Sequence, residues 1–131
     1  MRTKSEIGKI GEDICCEFLK EKKYRILVRN HRVKHVGEID VIARGQKGVL
    51  VFVEVKTLAG PVSMFIPEMH FNEEKRLRVR RLAQGFANRY PQYVNEKLGY
   101  RIDLVAIAIK DPLASIKNWH ETCDIRQYEN L

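Results

Sequence analysis

The chain has 131 residues, 44% apolar and 31% charged, and its 24 Lys and Arg outnumber 17 Asp and Glu to leave a net charge of +7. That length suits one domain with a real core; no apolar run nears the roughly 18 residues of a membrane span, and Met1-Arg2-Thr3-Lys4 lacks a secretory apolar segment. The expectation is a cytoplasmic protein without a membrane partner, with Cys15, Cys16 and Cys123 as reduced thiols and a surface that attracts polyanions.

Thr3 followed by Glu6 reads as a capping box, and Ile7, Ile10, Ile14 and Phe18 recur at helical spacing, which predicts a helix over Lys4–Lys22. Tyr24–Val33 is rich in β-branched and aromatic residues and predicts a strand, with Tyr24, Ile26 and Val28 on one face. Glu38–Arg44 and Val49–Thr57 form the next two strands, joined as a hairpin. With Gln46-Lys47-Gly48 as a three-residue loop and Gly48 left-handed, Gly45 faces Val49, Ile42 faces Phe52, and Asp40 faces Glu54. Leu58–Pro67 holds two prolines and no clear period, so it predicts a loop with an unusually apolar tip. Asn72 then caps a second helix whose buried stripe is Val79, Leu82, Ala83, Phe86, Ala87 and Tyr90, leaving Arg78, Arg80 and Arg81 outside it. Arg101–Lys110 reads as a buried strand, and Ser115–Trp119, with Thr122–Tyr128 as an addition to it, as a last edge strand. The whole is an α/β domain spanning 1–131, with a mixed central sheet flanked by helices in the order αβββαβ.

Side chains alternate along a strand, so Glu54 and Lys56 point the same way while Val51, Val53 and Val55 line the other face. Opposed residues on a hairpin share a face at Cβ separations of roughly 4.5 to 5.5 Å, which sets Asp40 beside Glu54. Two such carboxylates repel unless a cation lies between them, and Mg²⁺ or Mn²⁺ takes carboxylate and water ligands when a phosphate supplies the rest. Lys56 is placed to orient a water or to stabilise charge on a phosphoryl group. Glu12 lies beside the packed face of the first helix, whereas Asp13 points to solvent. Glu38, two residues before Asp40, shares its face on this reading and is a further metal-ligand candidate.

Gly11-Glu12 with Phe18-Leu19, Tyr24-Arg25-Ile26-Leu27, Asn30-His31-Arg32, Gly37-Glu38-Ile39-Asp40 and Val53-Glu54-Val55-Lys56-Thr57 closely resemble the YraN-like family of bacterial proteins. The resemblance continues through Lys75, Arg76, Leu77 and Ala83 to Arg101-Ile102-Asp103-Leu104. It implies a place in the PD-(D/E)xK nuclease superfamily, a restriction-endonuclease-like core, and similarity to Holliday-junction resolvases. By that resemblance Asp40, Glu54 and Lys56 are the catalytic set, with Glu12 as the helix acid. Lys23 stands where the family commonly has Gly, and Leu58 where it often has Arg.

The implied activity is metal-dependent cleavage of branched or structured DNA, for which a homodimer would supply two symmetric cuts. Arg32, Lys75, Arg78 and Arg81 are the candidate phosphate contacts, although for Lys75 a snorkelling side chain at the edge of the buried stripe is the better reading. Phe71 and Trp119 offer aromatic surface, with burial the better reading for Trp119. A Glu-x-Lys pair on a strand is by itself a weak signal, since any wet strand face accommodates it. The rival reading is a nucleic-acid-binding protein of repair or recombination that does not cut, because related folds can keep a shape and lose the chemistry.

Overall fold

Thr3 opens the first helix, α1 (Lys4–Glu21), in this computed structural model, which describes residues 2–58 and 60–131. The Thr3 hydroxyl accepts the Glu6 N–H at 3.1 Å and donates back to the Glu6 carboxylate, which ties down the first turn. At the other end Tyr24 N–H donates to Leu19 C=O at 2.9 Å and Lys23 N–H to Lys20 C=O at 3.0 Å, with Lys23 at φ +70°. Those two bonds define a Schellman turn, whose left-handed position favours glycine. The departure at Lys23 therefore falls on a residue that bears backbone strain.

Strands β1 (Arg25–Val33), β2 (Gly37–Arg44), β3 (Leu50–Leu58), β4 (Tyr100–Ile109) and β5 (Cys123–Tyr128) lie side by side in sequence order. Only β3 and β4 run parallel; the long helix α3 (Glu73–Arg89) makes that crossover, as a parallel connection requires. The sheet is mixed and the αβββαβ order holds, with β5 added at the edge. α1 buries Ile14, Cys15, Cys16 and Leu19 on one face against Val41, Val51, Val53, Val105 and Ile107. α3 buries Val79, Leu82, Ala83 and Phe86 on the other against Ile42, Phe52, Leu104 and Ala106. Among the described residues no helix is long and apolar enough to cross a membrane. All three cysteines are free and buried, and burial pushes their thiols up.

Several expectations change. Tyr24 and Ile26 pack toward α1, but Val28 joins the α3 side, because the β1–β2 register shifts between Ile26 and Val28 and a bulge reverses the alternation. Ser115–Trp119 is no strand; it leads into a single helical turn, α4 (Trp119–Thr122), and the edge strand is Cys123–Tyr128. Within Leu58–Pro67, Val62–Met64 forms a 3₁₀ turn, and Pro67–His70 forms the short helix α2. Phe65 turns inward onto Tyr128 and His70, leaving Met64 and Ile66 exposed. Phe71 is buried at 1% exposure beneath Arg76, so it offers no face for a base.

Candidate active site

The hairpin register is the one the loop dictates. Gly48 has φ +87° and Gly45 N–H donates to Val49 C=O at 2.8 Å, and the ladder continues through Ile42 opposite Phe52 to Val41 opposite Val53. Hydrogen-bonded pairs in an antiparallel ladder recur at every second residue, so the Val55 N–H also points toward β2, where Ile39 would have met it. Instead the strands part after Val53, and the Asp40 carboxylate takes the Val55 N–H at 2.8 Å. Asp40 thus sits in the fork between β2 and β3.

The same position is a break in the alternation of β2. Ile39 packs in the α3-side core and Val41 in the α1-side core, although residues two apart on a regular strand share a face. On β1 the residue opposite, Asn30, has φ +54°, a left-handed conformation that asparagine tolerates better than most residues. The neighbours reflect the turn: Arg29 pairs with Asp13 of α1 at 2.8 Å, while His31 meets Phe86 of α3 edge-on. Asp13 is therefore engaged rather than pointing freely to solvent.

Four acids surround this fork from three elements. Glu54 faces α3, where Lys75 Nζ lies 3.0 Å from its Oε1. Lys56 follows on the same face by alternation, between Glu54 and Leu58, which packs on the α3-side core. On the α1 side, Gly11 lets the helix approach β3 so closely that an added Cβ would run into the Thr57 hydroxyl, and this contact brings Glu12 over the sheet. With its amide nitrogen turned to the acids, Asn30 donates to Glu12 Oε1 at 3.0 Å and to Glu38 Oε1 at 2.9 Å. Glu38 also accepts from Arg32 at 2.8 Å. It is held with Glu12 through Asn30 and adds like charge at Asp40. A polar cleft of about 390 Å³, lined by Ser5, Gly8, Lys9, Glu12, Arg29 and Asn30, opens beside it.

Electrostatics single out Asp40. Burial and then the like charge of Glu54 push its carboxyl up to about 7, with Glu12 and Glu38 adding and only the Val55 N–H working against them. Glu12 is also raised, by burial first and by Glu38 and Asp13, against the pull of Arg29 and Lys9. Among the described residues no three His, Cys, Asp or Glu side chains converge into a ready-made metal cage. What converges is a pair, Asp40 with Glu54, coupled through like charge and met by Lys75.

The basic residues divide. Arg32 is engaged by Glu38 and Lys75 by Glu54, and Arg78 lies 3.7 Å from Glu74. Arg81 borders an apolar groove with His31, Val33, Val36, Phe86 and Tyr90, and among the described residues it makes no salt bridge. Asn30 escaped sequence reasoning as a site residue, and so did the partner of Lys75. Asn30 has a detectable signal, since an asparagine inside a strand is a candidate for a left-handed turn; the pairing of Lys75 with Glu54 has none, because it joins two elements through space.

Residues 11–107 match the profile of the uncharacterised protein family UPF0102. The chain belongs to that family. UPF0102 is the YraN-like group named by the sequence resemblance, and the matched span takes in Glu12, Asn30, Glu38, Asp40, Glu54, Lys56 and Lys75. A UPF0102 protein of Dictyoglomus turgidum is 37% identical over 118 residues, covering 87% of this chain and 91% of that protein. One from Caldicellulosiruptor saccharolyticus is 35% identical over 127 residues, covering 97% of each. A third, from Thermotoga neapolitana, reaches 60% identity over 52 residues, 40% of this chain and 47% of that protein.

Proposed function

We propose that this UPF0102 protein is a metal-dependent DNA endonuclease of the resolvase type, hydrolysing phosphodiester bonds in branched or structured DNA. The observation that carries the reading is the Asp40 carboxylate, held in the strand fork by the Val55 N–H and driven up to about 7 by burial and by Glu54. A buried pair of like charges with one strand-anchored member is a costly arrangement for stability alone, and it is the arrangement a divalent cation relieves. The donors fit Mg²⁺ or Mn²⁺: hard carboxylate oxygens, two rather than a full cage, with places left for water and a phosphate oxygen.

When bound, such an ion lowers the pKa of an attacking water and offsets charge on the phosphate. The chain's own groups do the rest. Asp40 and Glu54 would hold the ion, and Lys56, on the Glu54 face, would orient the nucleophile and stabilise the oxygens that gain charge. Glu12, its carboxyl raised first by burial and oriented by Asn30, is placed to hold or release a proton. Arg78 and Arg81 on α3 add sequence-independent attraction to the backbone, and a homodimer would present two such sites to a branched substrate.

Labelled linear, flapped and four-way DNA, incubated with Mg²⁺, Mn²⁺ or chelator, tests the proposal. Cleavage should need the ion and vanish in Asp40→Asn and Glu54→Gln while DNA binding survives. Lys56→Ala should lower turnover by about 10²-fold or more with DNA affinity changed far less, the signature of a group acting in the transition state. Salt-sensitive DNA binding with no cutting under any metal condition would instead identify a non-catalytic nucleic-acid-binding protein acting in repair or recombination.

A further inference from the structure

We propose that Lys75 is a tethered counter-ion for Glu54 in the free protein, and that a nucleic-acid phosphate draws it off, so that substrate binding opens the acid pair to the metal. This rests on the reading of Asp40 and Glu54 as metal ligands, and it concerns the order in which site and substrate assemble.

The contact is specific. Lys75 Nζ lies 3.0 Å from Glu54 Oε1, the acid 16% exposed and the lysine 37%. Glu54 is fixed, because it lies inside β3 in register with Leu104 of β4. The Lys75 backbone is fixed too, by its N–H bond to the Asn72 cap at 2.9 Å. Only the four-carbon side chain has freedom, and its ammonium sits where the acid pair meets solvent. A lysine suits this role better than an arginine: it is a compact charge with three rotatable donors and no planar fork to lock onto one carboxylate.

Charge accounting gives the device its direction. Among the described residues Asp40 has no salt-bridge partner, whereas Glu54 has Lys75. Taken as ionised, the two acids and Lys75 together carry one net negative charge, and without Lys75 they carry two. The first arrangement is tolerable in the absence of an ion; the second attracts a divalent cation more strongly. A backbone phosphate approaching α3 offers Lys75 an alternative anion, and withdrawing the ammonium restores the doubly charged pair. By thermodynamic reciprocity the ion, in displacing Lys75, also frees a cation for DNA. Metal and nucleic acid then reinforce each other through one side chain.

Mn²⁺ affinity of the full chain, measured by calorimetry without DNA, reads this directly. Lys75→Ala and Lys75→Gln should bind Mn²⁺ roughly three- to tenfold tighter than the parent, as removal of a half-buried competing charge implies, and Lys75→Arg should restore parental affinity. In a Lys56→Ala background, whose turnover is lowered by about 10²-fold or more, four-way DNA should tighten Mn²⁺ binding by a larger factor with Lys75 present than in Lys75→Ala. Unchanged or weaker Mn²⁺ binding in both neutral variants, each melting cooperatively, overturns the inference and leaves Lys75 a phosphate contact. Absence of any Mn²⁺ binding sensitive to Asp40→Asn overturns the metal reading itself, and is recognisable because it is seen in the parent chain.

Discussion

Asp40→Asn should make the protein more stable, although it removes the residue on which the proposed chemistry depends. The folded carboxyl titrates at about 7 against an ordinary 3.8, so the folded state binds the extra proton between those values and stability falls as pH rises through that window. Below about 4 both states are protonated and nothing is lost; above about 7 the full deficit applies. A gap from 3.8 to about 7 corresponds to about 4 kcal/mol as a ceiling, reduced in practice by solvent reaching the site. Asparagine keeps a carbonyl oxygen for the Val55 N–H, so the substitution removes the charge and retains the bond. Thermal melts in EDTA should therefore show parent and variant nearly equal at pH 4 and the variant ahead at pH 8. With about 3 to 5 °C per kcal/mol for a chain of this size, a gain of roughly 5 to 10 °C is expected. Adding Mg²⁺ at pH 8 should raise the parent's Tm and not the variant's. A variant equal to or below the parent at pH 8 would refute the claim that Asp40 is held against its own electrostatics.

Gly11→Ala should destabilise by about 1 to 3 kcal/mol despite the better helix propensity of alanine, because its Cβ meets the Thr57 hydroxyl. Thr57→Ala in the same chain should recover part of that loss in chemical denaturation, a coupling that distant sites do not show. Lys23→Gly should stabilise by up to about 1 kcal/mol, since Lys23 holds φ +70° at the close of α1; no gain in the denaturation midpoint would remove strain from that turn. Asn30→Gly keeps the left-handed backbone at φ +54° and loses the bridge to Glu12 and Glu38. Asn30→Ala loses both and should be the less stable of the two by about 1 kcal/mol.

The elements were legible because each rests on local physics. Thr3 and Asn72 cap helices in any surroundings, the stripe of Val79, Leu82 and Phe86 follows from helical period alone, and the Gln46-Lys47-Gly48 loop is enough to count Ile42 onto Phe52 and so Asp40 toward Glu54. Val28 was misplaced where that counting assumed an unbroken pleat, and Asp13, on α1, was misplaced because its partner Arg29 comes from another element. A bulge after Ile26 and a left-handed Asn30 reverse the faces midway, and of the two only the asparagine carries a signal in the sequence. Composition and pattern thus determined the layers, the hairpin and the acid pair. Tertiary packing alone decided that the strands fork at Asp40, that Asn30 joins Glu12 to Glu38, and that Lys75 reaches Glu54. Those contacts join residues distant in the chain, and their energies depend on burial and dielectric that exist only once the two helices close over the sheet.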